Sequence, residues 1–400
     1  MKKILLTVTL FCLLITNAFA YSPTKLYDDV WTLVDAKYVD RNTNTQDWQK
    51  WRHKYENKIN TDADAKVAIE TMLASLNDPY TRYLDVEEFK EENDSIKGSL
   101  KGIGVQIGIK DDKLTVIAPI EDTPAAKAGL QSNDLILLID GHSTKGMSVK
   151  EAADKIRGQE GTFVKLVVKR GELQKEYDIQ RQNIILKSVS TTPLNDMKVP
   201  NNMGYIRLST FINKNAAKEV AETLAKFNTK DGYILDLRSN PGGLLTNAII
   251  ISDMFLDGGK IVSTVDRDGY KETQRATSNN ITDKPLVVLI NGGSASASEI
   301  LSGALKDNGR ATLVGTKTFG KGVVQEINKL SDGSGVNITT QKYLTPNGTD
   351  IHQKGIAPDV EVKMTEEDIT QKRDPQLIKG EEVLNQLIQK AASQKTCNVI

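Results

Sequence analysis

The strongest constraint on this chain is a stretch, 184–362, in which short apolar segments alternate with amphipathic ones. Residues 232–238 and 285–291 read as buried strands, and 204–208 and 311–315 as two more. Helical spacing marks 214–227, 244–255 and 296–307. Such alternation is the signature of an α/β core.

The flanks have other textures. At 400 residues the chain suits two to three domains. Over 21–94 the pattern is helical. Ser22-Pro23 is a cap and first turn, followed by Leu26, Val30, Leu33 and Val34 at helical spacing. Thr61 opens a second helix expected to turn Val67, Met72, Leu73 and Leu76 inward, and Asn77-Asp78-Pro79 stops it. This segment is expected to be too small for a core of its own and to serve in packing or oligomerisation. Over 95–182 short strands and turns dominate, with a short helix 124–130 and an amphipathic helix 148–156. In the tail, 363–400, a helix is expected over 381–391 with Val383, Leu384, Leu387 and Ile388 on one side.

Residues 1–20 stand apart. Lys2 and Lys3, the apolar run 4–15 and the small-x-small Ala18-Phe19-Ala20 mark a secretory leader cut after Ala20. The run falls short of the roughly 20 residues a spanning helix needs. Export is expected, with a periplasm the favoured destination. Loss of Cys12 would leave Cys397 alone, so no intrachain disulfide can form.

Several function classes drop out. The 52 basic residues balance 52 acidic ones, which gives no electrostatic case for nucleic acid. The sequence has no His-Glu-x-x-His, no cysteine cluster and no phosphate-cradling Gly-x-x-x-x-Gly-Lys-Ser/Thr loop, so no metal or cofactor is implied. Histidines are scarce: His53 is in the N-terminal helical region, His142 in a turn of the strand-rich module, and only His352 in the α/β core.

Three segments of that core carry chemistry. In Asn291-Gly292-Gly293-Ser294-Ala295-Ser296-Ala297-Ser298-Glu299 a buried strand ends, turns through two glycines and enters a helix on small residues. A serine there sits where backbone N–H groups favour developing negative charge. The same run also suits a plain helix cap. A serine needs a base, and with histidine scarce a buried lysine can serve. Thr318-Phe319-Gly320-Lys321-Gly322-Val323-Val324-Gln325 supplies Lys321 in apolar company, with Gln325 placed to orient its amine through a neutral hydrogen bond. In Asp236-Leu237-Arg238-Ser239-Asn240-Pro241-Gly242-Gly243 a strand ends in a turn that exposes backbone N–H groups, a second source of oxyanion donors. Asp236 and Arg238 can equally be a core ion pair.

Together these segments resemble the C-terminal processing peptidases, or tail-specific proteases, over about 78–358. The strand-rich module resembles a PDZ domain, on Gly102-Ile103-Gly104-Val105, Pro124-Ala125-Ala126-Lys127-Ala128-Gly129-Leu130, Asp134 and Asp140-Gly141. Its one departure is Asn133, where glycine is usual; asparagine tolerates the left-handed conformation. The resemblance implies that Ser296 is the nucleophile and that Lys321, 25 residues on, is its base; the spacing rejects Ser294 and Ser298. It implies Gln325 as the assisting glutamine, Ala297 with Gly242 or Gly243 as the oxyanion hole, and Asp307 as a structural acid. The fold implied is multidomain α/β, a crotonase- and Clp-like ββα protease core (183–362). An inserted PDZ-like domain (95–182) and helical N- and C-terminal segments (21–94 and 363–400) complete it.

Gly102, Ile103, Gly104 and Val105 would hold a substrate's terminal carboxylate while its tail adds as a strand. Arg157, at the end of the module's helix, is a candidate gating residue. The expected partners are proteins or peptides with free C-termini, an activator or adaptor, and further copies of the chain in a homodimer or larger homo-oligomer. The alternatives are a catalytically silent PDZ peptide-binding scaffold and another crotonase-type reaction on acyl thioesters.

Overall fold

In a computed structural model, which describes residues 22–110, 112–120, 123–131, 133–185, 187–193, 197–365, 367–368 and 371–397, the chain divides into two compact units. One is Met1–Val86 with Gln325–Thr339, and the other is Glu87–Val324 with Thr340–Ile400. The expected leader, its cleavage point and Cys12 lie outside the described residues.

In the first unit, helix α1 (Pro23–Lys37) starts on Ser22, whose hydroxyl accepts from Lys25 N–H. It buries Leu26, Tyr27, Val30, Trp31 and Val34. Helix α2 (Trp48–Lys54) brings Trp48 parallel to Trp31, and Trp31 Nε1 donates to Trp48 O at 2.9 Å. Helix α3 (Asp62–Ala74) is held by a reciprocal capping box between Thr61 and Asp64. Its inner stripe is Ala65, Ala68, Ile69, Met72 and Leu73. Val67, expected inside, is 62% exposed, because it falls off that three-and-four-residue stripe. The segment takes part in a core that, as expected, is not its own. It does so with distant sequence: Leu330, Val336 and Ile338 join the cluster, and strand β1 (Arg82–Leu84) pairs antiparallel with 335–337.

The second unit opens with α4 (Val86–Ile96) and a two-stranded ladder of β2 (Ser99–Gly102) with β9 (Gln182–Ile185). The ladder brackets the strand-rich module, in which antiparallel strands β3 (Val105–Lys110), β4 (Lys113–Pro119), β5 (Leu135–Ile139), β7 (Phe163–Arg170) and β8 (Leu173–Gln180) lie in that order. The short β6 (His142–Ser143) pairs with β5. Helices α5 (Pro124–Ala128) and α6 (Val149–Ile156) contribute Ala125, Ala152 and Ile156 to its core. Asn133 takes the left-handed conformation at φ +68°, as its residue type allows. Asp134 is fully buried. Burial alone would raise its carboxyl pKa, but the Arg170 guanidinium at 2.6 Å and Gln131 N–H hold it below the ordinary value.

The core sheet runs β10 (Val189–Ser190), β11 (Met203–Leu208), β12 (Gly232–Asp236), β15 (Leu286–Ile290), β16 (Thr312–Gly315), β19 (Val360–Glu361), parallel except for β10. Every residue of β12 and β15 is buried, as a sheet covered on both faces requires. Helices α7 (Ala216–Lys226), α8 (Leu245–Asp253) and α9 (Ala297–Asp307) cover one face through Val220, Leu224, Ile251 and Leu301. Strand β13 (Lys260–Asp266) pairs antiparallel with β14 (Lys271–Arg275) and with 341–344. The chain passes into the first unit within β17 (Val323–Lys329) and returns within β18 (Gly335–Leu344).

The other face is covered by the tail. Helix α10 (Pro375–Cys397) is longer than the 381–391 stretch expected, and it packs Leu377 and Leu384 on Met203, Tyr205, Ile234, Val287 and Leu289. Burial of each leucine contributes roughly 1.5–3 kcal/mol. Its start is pinned by charge. Arg238, buried at the end of β12, donates to Asp236 Oδ2 at 2.6 Å, to Asp374 Oδ1 at 2.8 Å and to Gln376 Oε1 at 3.2 Å. Tyr205 Oη completes the network on Asp236, and Asp374 Oδ1 also accepts from Leu377 N–H. The pair of Asp236 with Arg238 is thus part of the core, as one reading of the sequence had it.

Replacing Asp374 with alanine should therefore cost about 3–5 kcal/mol, because it leaves a buried guanidinium under-compensated. Urea unfolding of the mature chain would measure this; a loss below about 1 kcal/mol would show that Asp236 alone satisfies Arg238.

Candidate active site

Parallel pairing of β12, β15 and β16 brings their C-terminal ends side by side, the edge at which open α/β sheets place ligands. Three turns leave that edge: 237–243, 291–296 and 316–322. Polar side chains lace them together. Asn291 Oδ1 accepts from the N–H groups of Ser239 (2.8 Å) and Gly293 (3.0 Å). The carbonyl of Asn240 accepts from Ala295 N–H, and its side-chain amide donates to Leu208 O. Phe319 N–H donates to Ser294 O at 3.0 Å.

These bonds separate the three serines. Ser294 and Ser298 are fully buried, and their hydroxyls donate to Leu237 O at 2.8 Å and Asn240 O at 2.9 Å. Ser296 is only half-buried and sits at φ +55°, ψ −114°, immediately before α9. A non-glycine residue held there stores about 1–3 kcal/mol of backbone strain, and such strain collects at functional turns. The next residue, Ala297, opens the helix.

Gly242 lies against this turn at φ +99°. A Cβ built there would stand 2.7 Å from Ala295 O and 2.9 Å from both Ala297 N and Ser296 Cβ. Its own N–H donates to Asn240 Oδ1 at 2.9 Å. Gly243, at φ +142°, abuts Ile212, and its flanking groups pair with Phe211. The structure therefore brings Ser296, Ala297, Gly242 and the Lys321 turn onto one edge.

Lys321 is half-buried between Gly320 and Gly322, followed by the buried Val323. Phe319, two residues before it, is 58% exposed. The carboxylate of Glu299, fully buried in the first turn of α9, reaches both turns. Oε2 accepts from Ser296 N–H and Lys321 N–H, each at 2.9 Å, and Oε1 from Gly320 N–H at 2.7 Å and Thr318 Oγ1 at 2.6 Å. Glu299 and Asn240 were not singled out from the sequence. The available signal was the Ser-x-x-Glu spacing of a capping box, Ser296 to Glu299.

Other sequence-selected residues fall as follows. Gln325, on β17, belongs to the first unit and donates to Thr339 Oγ1 at 3.3 Å. Asp307 accepts from Asn347 N–H. His352 packs its backbone against Gly322, and its buried Nδ1 finds no hydrogen-bond partner among the described residues. A triad histidine needs a carboxylate there.

In the strand-rich module, Gly102 closes β2, and a Cβ built on it would lie 3.9 Å from Arg157 Cγ. Ile103 is buried and its carbonyl accepts from Ala125 N–H. Gly104, at φ +75°, accepts from Ile120 N–H and Thr123 Oγ1. Val105 begins β3, an edge strand of its sheet. Arg157 is ion-paired with Glu91 of α4, with Asp154 at 3.7 Å.

Comparison with known proteins agrees with this architecture. The family model of peptidase family S41 matches residues 202–362, and a PDZ-domain model matches 115–170. A carboxyl-terminal-processing protease of Synechocystis sp. is 46% identical over 342 residues, 84% of this chain and 80% of that protein. The carboxy-terminal processing protease CtpA of Bacillus subtilis is 40% identical over 321 residues, 79% of this chain and 68% of that protein. Among solved structures, a photosystem II D1 C-terminal processing protease matches with a TM-score of 0.60 and 34% identity, over 86% of this chain and 94% of that one. Fold and sequence alike define a serine-type peptidase that carries a PDZ domain. Within that class, the chain belongs to peptidase family S41, the family of the carboxyl-terminal-processing proteases.

Gly242→Ala should lower peptidase activity about 10²-fold by displacing the Ser296 turn. Ser296→Gly should abolish activity yet unfold no earlier than wild type, and up to about 1 kcal/mol later, because glycine relaxes the positive φ. Wild-type activity in the first variant would show that the turn is not crowded, and early unfolding in the second that it is not strained.

Proposed function

We propose that this chain is an exported endopeptidase that selects protein tails through its PDZ domain and cuts by a Ser296/Lys321 dyad. The observation that carries the reading is that the backbone N–H groups of Ser296 and Lys321 bond to one oxygen of Glu299. A serine at a strained helix entrance and a lysine are thereby fastened to a common point.

Ser296 Oγ attacks the scissile carbonyl while neutral Lys321 Nζ takes the hydroxyl proton. The tetrahedral oxyanion is borne by Ala297 N–H and by Gly243 N–H, since Gly242 N–H is already given to Asn240. Collapse expels the amine, which receives the proton from Lys321 and leaves an acyl-Ser296. Water, deprotonated by the same lysine, then releases the acid and restores the serine. Gln325 assists as a neutral partner for the lysine, because a carboxylate would hold it charged.

The tail of a substrate adds to β3 as a strand, and its carboxylate is received by the Gly102–Val105 loop. Arg157, beside Gly102 and paired with Glu91, couples that loop to α4 and acts as the gate. Residues 1–20 direct export to the periplasm and are cut off after Ala20. Association into a homodimer or larger homo-oligomer, and dependence on an activator or adaptor, complete the proposal.

The test is cleavage of an unstructured protein with an apolar C-terminal tail by mature wild type, Ser296→Ala and Lys321→Ala, with products read by mass spectrometry. Cleavage by wild type alone, rising with pH as the lysine loses its proton, is expected. Amidation of the substrate's C-terminus should raise KM about tenfold, by loss of charge-assisted bonds to the loop. A rate flat from mildly acid to alkaline pH rules out the lysine base; binding of tails with no cleavage would instead make the chain a silent scaffold.

A further inference from the structure

Glu299 is more than a helix cap. A capping-box glutamate at the third position of a helix returns its carboxylate to the N–H of the cap residue, which accounts for a single bond, that from Ser296 N–H at 2.9 Å. The other three donors belong to a different turn, 22 residues away in sequence at Lys321: Thr318 Oγ1, Gly320 N–H and Lys321 N–H. Oxygen Oε2 is shared between the residue that attacks and the residue that deprotonates it. Oxygen Oε1 takes the N–H of Gly320, just before the lysine, and the hydroxyl of Thr318, three residues before it.

The placement of this charge is costly for the chemistry. It lies fully buried in the first turn of α9, the helix whose N-terminus has to stabilise a developing oxyanion. A second anion there works against that field unless its charge is already spread over donors, and four short bonds do this. Nothing in helix capping calls for such an arrangement, since an exposed glutamate or glutamine would cap α9 equally well. Its distinctive consequence is geometric: a rigid, two-oxygen bridge sets the separation of the two turns.

We infer that the Glu299 carboxylate is the positioning residue that holds Ser296 and Lys321 in attacking register. The inference rests on the dyad reading above. Glutamine at 299 has to set an NH₂ against one of the two donor pairs: facing Ser296 and Lys321 it breaks the tie between the two turns, and facing Thr318 and Gly320 it gives up the Gly320 bond. Aspartate is one methylene shorter and cannot span both. Thr318 offers a milder probe: valine there keeps the shape and removes the donor to Oε1, together with the acceptor for Ile356 N–H at 2.7 Å.

The experiment compares mature full-length wild type, Glu299→Gln, Glu299→Asp, Thr318→Val, Ser296→Ala and Lys321→Ala. Steady-state cleavage of the tailed substrate gives kcat and KM. The rate at which a fluorophosphonate labels Ser296 reports nucleophile activation without the PDZ domain, and circular dichroism reports folding. Glu299→Gln should lose about 10²-fold in kcat and in labelling rate with KM within about threefold, the pattern of misplaced reacting groups. Thr318→Val should lose about fivefold in kcat from the bond to Glu299, again without a change in KM, while the lost bond from Ile356 N–H is read as a loss of stability. Should Glu299→Gln fail to fold, Thr318→Val decides. Unchanged kcat and labelling in the folded variants, with Ser296→Ala and Lys321→Ala inactive, overturns the positioning role and leaves the dyad standing. Cleavage by Ser296→Ala overturns both.

Discussion

Everything at the catalytic edge depends on the parallel pairing of β12, β15 and β16. Three neighbouring strands that run the same way must release their following turns on one side of the sheet. Turns packed so closely bury backbone groups that no ladder can satisfy, and each needs a partner. Asn291, Ser294, Ser298 and Glu299 supply them by bridging to a neighbouring turn, and Asn240 by accepting from Gly242 N–H within its own. The polar residues of this edge are therefore structural first, and they lock one arrangement in place because partial satisfaction in a dry interior is expensive.

Reactivity is what remains after that satisfaction. Two of the three serines spend their hydroxyls on carbonyls, and the third is forced into a positive φ at the entrance to a helix. The strain is sustained because the turns on both sides are overdetermined by hydrogen bonds, and because Gly242 leaves no room for the backbone to move toward it. Removing a side chain from position 242 is what lets two turns approach within van der Waals contact.

The same sheet needs cover on its second face, and the tail provides it. A 23-residue helix reaches across β12, β15 and β16, with its first turn tied to Arg238 at the end of β12. The anchor stands two residues beyond Asp236 and just before the glycine turn, so the segment that ends the chain steadies the segment that forms the site. At the PDZ domain the forces are weaker. Arg157 and Glu91 are both about one-third exposed, a pair worth under about 1 kcal/mol. A contact this slight can be exchanged for another carboxylate at little cost.

The sequence by itself determined the elements and the chemistry. Apolar runs, caps and glycine turns placed β11, β12, β15, β16 and the helices α7, α8 and α9 to within a residue or two, because those signals are local, while β10, β13, β14, β17, β18 and β19 were not read. Ser296, Lys321 and the Gly242-Gly243 turn stood out for the same reason, each being a short motif with its own logic. Tertiary structure alone decided the rest. Val67 turned outward, residues 325–339 completed a core begun at Pro23, and the tail helix became a face of the sheet. Gly242 lost its N–H to Asn240, and Glu299 tied the Ser296 turn to Lys321, 22 residues beyond the glutamate. These outcomes depend on which surfaces meet once the sheet has formed, and contacts between distant residues leave no periodicity or spacing to read.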